Sequence, residues 1–174
     1  MRIMGFAGWS GSGKTTILAR LIPALVADGS SVSTIKHAHH EFDVDQPGKD
    51  SHVHRMAGAT EVLVGSARRW ALMHELRDAP EPSLTELLAH LSHVDLVLVE
   101  GFKREGHPKI EIHRPSVGKP LLQPDDPHIV AVASDVNLDL TVPVLLLDDI
   151  AAIARFVRQH AIPLNQMVLH GPTD

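Results

Sequence analysis

Eight residues, Gly8-Trp9-Ser10-Gly11-Ser12-Gly13-Lys14-Thr15, have the types and the spacing to wrap a chain of phosphates. The glycines let the backbone close round an anion with its N–H groups pointing inward. Lys14 supplies a point charge for the outer phosphates, and Thr15 offers a hydroxyl to Mg²⁺. Two elements must position this loop. A short apolar run, Ile3 to Ala7, leads into it as a buried strand, and Ile17, Leu18, Leu21, Ile22 and Leu25 follow at helical spacing. The helix turns its positive end toward the same anion. The pattern G-x-x-x-x-G-K-[ST] in this context predicts a nucleoside triphosphate held by Ser10, Gly11, Ser12, Gly13, Lys14, Thr15 and Thr16.

A second constellation is Leu96-Val97-Leu98-Val99-Glu100-Gly101, an apolar strand ending in a carboxylate. Beside a phosphate loop, such a carboxylate can join the Mg²⁺ shell directly or through water, and the glycine lets backbone approach the outer phosphate. A third is Lys36-His37-Ala38-His39-His40 with Asp43, Asp45, Lys49 and Asp50, followed by His52 and His54. Imidazole and carboxylate suit a transition metal such as Zn or Ni. The same residues also suit a loop whose Lys and His meet phosphate oxygens while an Asp reaches Mg²⁺ through water, or a solvated polar loop. Asp135, after Ala133-Ser134, is an acceptor able to meet the N1 and N2 donors of guanine, and equally able to cap a turn. No nucleophile triad is visible and no catalytic residue is assigned. Phosphoryl chemistry, needing only positioning and charge neutralisation, is not excluded by that.

The supporting elements alternate. The first helix contains Pro23, which deletes a backbone donor and predicts a kink; Gly29 ends it, and Ser31 to Lys36 reads as a strand. Pro47-Gly48 marks a turn in a long polar loop, and Ser51 caps a short helix to Gly58. Glu61 to Gly65 and Trp70 to Glu75 read as a hairpin, and Ser83 with Glu86 as a capping box for a helix to Leu91. Asp95 to Val99 reads as a central parallel strand and Ile110 to His113 as an edge strand. Ile129 to Ala133 and Val142 to Leu147 read as buried strands, and Asp148 to His160 as a closing helix. The alternation predicts an α/β three-layer sandwich with a mostly parallel sheet, one phosphate-loop domain over residues 1–162, and a loose tail over 163–174. A chain of 174 residues with 44% hydrophobic and 21% charged content suits such a domain. The net charge of −5 argues against a general nucleic-acid binder, and no run approaches the roughly 18 apolar residues of a membrane span. The absence of cysteine excludes disulfides and thiolate metal sites and fits a reducing, cytoplasmic setting.

Taken together, Gly8 to Thr16, Lys36-His37-Ala38-His39-His40, Phe42 to Asp45, Pro47-Gly48-Lys49-Asp50-Ser51, Ala57-Gly58-Ala59, Val99-Glu100-Gly101-Phe102-Lys103, Lys109-Ile110-Glu111 with Arg114, and Val132 to Asp135 form an ordered set. That set resembles the MobB family, the molybdopterin-guanine dinucleotide biosynthesis adapters, over about residues 2 to 160. The resemblance implies a GTP-binding homodimer with Mg²⁺ that assists the molybdopterin guanylyltransferase and hydrolyses GTP slowly or not at all. On it, Lys14 and Thr15 serve phosphate and Mg²⁺, while Asp45 and Glu100 belong to the metal shell or switch loops. Two rivals share the fold: a small-molecule kinase or ligase, and a nickel or zinc metallochaperone GTPase using His37, His39 and His40.

Overall fold

A computed structural model describes residues 1–38 and 42–167. The chain divides into two compact units, residues 1–37 with 84–174, and residues 38–83.

The larger unit contains β1 (Arg2–Ala7), α1 (Lys14–Ala27) and β2 (Val32–Lys36); the smaller contains α2 (Asp50–Met56), β3 (Glu61–Gly65) and β4 (Trp70–His74). The larger resumes with α3 (Leu84–Ala89), β5 (Leu96–Glu100), β6 (Lys109–His113), β7 (Ile129–Ser134), β8 (Val144–Leu146), α4 (Ile150–His160) and β9 (Ile162–Pro163). Its strands run in the order β2-β5-β1-β6-β7-β8, all parallel, with β9 antiparallel to the start of β1. One face packs Ile17, Leu21 and Leu25 of α1 and Ile153 and Val157 of α4 against Met4, Phe6, Leu98 and Ile112. The other packs Leu84 and Leu88 of α3 and Met167 against Ile3, Val97 and Val99. Covering on both faces is why the central strands read as continuous apolar runs. This is the three-layer α/β sandwich, and it brings the carboxyl ends of β1, β5, β6 and β7 to one edge, where ligand loops belong.

Three expectations for this unit change. β6 is a central strand between β1 and β7, with all five residues buried, rather than an edge. Its Lys and Glu look like an outward face in the sequence, yet both are paired inside the fold. β8 is an edge strand, short and with Leu146 exposed, rather than a buried strand over 142–147. Residues 163–167 are not a loose tail: Arg2 pairs with Pro163, Met167 is buried, and the Arg2 guanidinium donates to Arg158 O at 2.7 Å and to Ala161 O. The rest of that segment, 168–174, lies outside the described residues.

The smaller unit is α2 followed by the antiparallel β3–β4 hairpin, as the alternation predicts. Helix α2 starts at Asp50 with Lys49 at its cap position and no side-chain capping bond, so Ser51 is inside the helix. Arg55 on α2 is the tie: it donates to Asp45 through Nε and Nη2, to Asp43 at 2.7 Å and to Glu75 at 3.2 Å. Leu63, Val64, Trp70 and Leu72 of the hairpin are exposed.

Candidate functional site

The phosphate loop is a backbone construction. Gly8 has φ +143°, and a Cβ there would lie 2.5 Å from Ile112 O, so only glycine lets the chain leave β1 against β6. Gly13, at φ +95°, starts α1 in the left-handed region that a side chain would resist. Between them Ser12 N–H donates to Trp9 O, and Ile17 N–H to Gly13 O. The Lys14 ammonium folds over this loop and donates to Gly8 O at 2.9 Å and Trp9 O at 3.0 Å. Burial lowers its pKa below the ordinary lysine value; Glu100 pulls it back up, and Lys103 and Lys36 push it down. A polyanion would relieve that like-charge crowding. Ser10, Gly11, Thr15 and Thr16 are exposed around the loop, while Ser12 is buried and its hydroxyl has no hydrogen-bond partner among the described residues.

Glu100 comes to the same place through strand register: it lies at the end of β5, opposite Phe6 on β1 and Lys36 on β2. Thr15 Oγ1 donates to Glu100 Oε1 at 3.1 Å, and Lys36 Nζ stands 3.7 Å from the same oxygen. A hydroxyl and a carboxylate side by side are hard oxygen donors, the set a hexacoordinate Mg²⁺ accepts with water completing its shell, so these residues fit the ion. Gly101, at φ +94°, lies so close to His37 that a Cβ would come within 2.8 Å of the His37 Cβ. Asp45 belongs to the smaller unit; its side chain is almost fully buried, and both oxygens accept from Arg55. That bond holds its carboxyl below the ordinary range.

Asp135 lies just past β7, and its Oδ2 accepts from Arg114 Nη1 at 2.8 Å. Arg114 Nε donates in turn to Ser12 O at 3.2 Å, within the phosphate loop. Arg114 therefore joins Asp135 to the loop, a role the sequence reading leaves unassigned. The available signal is its place one residue beyond a parallel strand, where ligand-binding loops start. Two further groups on β6 escape sequence reasoning. Lys109, fully buried, donates to Lys103 O and Glu105 O at 2.8 and 2.7 Å and pairs with Asp126 at 2.9 Å. Glu111, also buried, accepts from the N–H groups of Leu122 and Gln123, both at 2.9 Å. Lys103 Nζ stands 4.9 Å from the Trp9 ring centroid, and Lys119 Nζ 5.7 Å from it.

His39 and His40 lie outside the described residues. Among the described residues no group of three or more His, Asp or Glu is placed to hold a metal ion. The smaller unit has an open cleft of about 690 Å³ lined by Lys49, Ser51, His54 and Val62 to Gly65, which contains none of the phosphate-loop residues.

Residues 3–135 match the family model for molybdopterin guanine dinucleotide synthesis protein B, MobB. The chain belongs to the MobB family. Every site residue from Ser10 to Asp135 lies within the matched span. The molybdopterin-guanine dinucleotide biosynthesis adapter protein of Escherichia coli K12 is 49% identical over 158 residues, covering 89% of this chain and 90% of that protein. Its counterpart from Haemophilus influenzae is 43% identical, covering 89% and 86%. The crystal structure of molybdopterin-guanine biosynthesis protein B superposes with a TM-score of 0.71 at 26% identity, over 90% of this chain and 98% of that one. The MobB homologue from Bacillus stearothermophilus gives 0.67 at 27%, over 91% and 99%. These likenesses agree with the phosphate-loop NTPase fold read from the strand order.

Proposed function

We propose that this MobB-family chain is a GTP-binding adapter that assists guanylylation of molybdopterin in molybdenum-cofactor biosynthesis. The observation that carries the reading is the convergence of Lys14, Thr15 and Glu100 at one loop in a chain 49% identical to a named adapter of that pathway. Ser10 to Thr16 hold the phosphates through backbone N–H groups and the Lys14 ammonium, while Thr15 and Glu100 hold Mg²⁺. The ion, when bound, neutralises phosphate charge. Asp135, kept in place by Arg114, accepts from the guanine edge. Turnover is slow or absent in this reading, in keeping with an adapter rather than an enzyme.

The partner is the molybdopterin guanylyltransferase, met as a homodimer of this chain in the cytoplasm, where GTP is supplied. The exposed apolar hairpin supports the dimer, since Leu63, Val64, Trp70 and Leu72 make a patch that a second surface would cover. No helix of the described residues is long and apolar enough to cross a membrane.

Titration with a fluorescent GTP analogue tests the reading. Lys14→Ala should weaken binding by about a hundredfold or more, the scale of a lost charge-assisted contact to phosphate. Equal competition by ATP would remove the guanine claim. A guanylyltransferase that fails to co-purify from the source cell, with GTP present, would remove the adapter claim.

A further inference from the structure

Lys103 sits in the turn that follows Glu100-Gly101, and its position is built with unusual care for a surface lysine. Its carbonyl oxygen accepts from the fully buried Lys109 ammonium at 2.8 Å, and that ammonium also holds Glu105 O at 2.7 Å and Asp126. Phe102, one residue earlier, has φ +47°, a strained backbone for a bulky residue that persists only where the surroundings over-determine it. The Lys109 contacts to Lys103 O and Glu105 O are part of those surroundings, with the packing of Phe102 against Val97, Val99 and their neighbours. The backbone of Lys103 is thereby pinned while its ammonium is not: among the described residues it makes no ion pair or hydrogen bond. It rests 4.9 Å from the centroid of the Trp9 ring.

Trp9 marks where that ammonium lies. Its carbonyl is one of the two that the Lys14 ammonium contacts, at 3.0 Å, so Trp9 belongs to the part of the loop served by the outer-phosphate lysine. Its indole is fixed by donating from Nε1 to Pro120 O at 2.8 Å. Lys36 has Glu100 as its counter-charge, and Lys14 has two carbonyls. Lys103 has only the face of an aromatic ring, a weaker partner than an anion. Its charge is felt at Lys14 as a repulsion, in keeping with two ammoniums sharing one anion site.

We infer that Lys103 is a contact for the terminal phosphate of the triphosphate, parked on Trp9 without ligand and drawn to that phosphate when it is present, so that this chain distinguishes GTP from GDP. The inference rests on the GTP reading above and adds the element that senses the third phosphate. Pinning the backbone and leaving the side chain free gives a reach-and-return motion that needs no loop rearrangement. Arginine has the same charge and a comparable reach, whereas glutamine keeps most of the length and loses the charge.

Calorimetric titration of the full chain with Mg²⁺ and either a non-hydrolysable GTP analogue or GDP tests this. Lys103→Gln should weaken the triphosphate analogue by about tenfold or more while GDP stays within about twofold of the parent, and Lys103→Arg should restore the difference. Unchanged triphosphate affinity in Lys103→Gln, or an equal loss for both nucleotides, overturns the inference and leaves the GTP reading standing. A parent chain that binds neither nucleotide overturns the GTP reading and this inference with it. Unfolding of Lys103→Gln is checked by its melting curve, and Lys103→Met then replaces it with the same expected ratio.

Discussion

In the larger unit, Lys109 and Glu111 are fully buried on a central strand and each finds its partners inside the fold. In the smaller unit, Leu63, Trp70 and Leu72 stand in solvent on a two-stranded hairpin, and the cohesion comes from one arginine and three carboxylates. The first arrangement fixes loops at the rim of a sheet and suits a small ligand that needs donors held still. The second leaves apolar area uncovered and suits a macromolecular surface.

The strongest way to break that contrast is Lys109→Met. It leaves Asp126 without its cation and two carbonyls without a donor, at a cost of about 3–5 kcal/mol for a broken buried pair. Chemical denaturation should show it, together with loss of nucleotide affinity; a change below about 1 kcal/mol would mean the buried charge is not what fixes the loops.

A milder probe uses His107, fully buried, packed over Gly5, and with no hydrogen-bond partner for either ring nitrogen among the described residues. Burial, aided by Lys109, pushes its pKa down from 6.5 to about 3. The unfolded chain therefore takes up a proton that the folded chain refuses between those values. Stability from this group is complete above pH 6.5 and falls as the pH drops toward 3, by at most about 1.4 kcal/mol per pH unit. His107→Gln should flatten the slope in urea midpoints measured across that window; an unchanged slope assigns it to other groups.

The smallest effect on folding belongs to the smaller unit. Leu63→Ser with Leu72→Ser should change monomer stability by only about 0.5 kcal/mol, as exposed positions do. Light scattering should nevertheless show the proposed dimer dissociating at a higher protein concentration than in the parent. A dimer of unchanged strength would remove the hairpin from the interface and leave its exposed leucines without a purpose.

The phosphate loop was legible because its chemistry is local: eight consecutive residues, a strand before and a helix after. Glu100 was legible because its strand is apolar on both faces. β6 misled because its Lys and Glu alternate with isoleucine as an exposed edge would, while Asp126 and the N–H groups of Leu122 and Gln123 come from later in the chain. Arg114 depends on the pairing of β6 with β1 and β7, which no spacing displays. Asp45 sat in a motif that suggested metal, yet its partner Arg55 lies ten residues further on a helix whose face could not be foreseen. The β9 pairing is two residues long, too short for any periodicity.

The central position of β1 also governs when this protein can work. The strand that leads into the phosphate loop is made before its neighbours, which are residues 96–100 on one side and 109–111 and 162–163 on the other. During synthesis the loop sequence leaves the ribosome early and waits for most of the chain before it has a sheet to hang from. A nascent chain therefore carries the whole phosphate-binding motif without the register that places Glu100 and Arg114 beside it. The full site of the proposed nucleotide is therefore assembled only with the closing of the sheet.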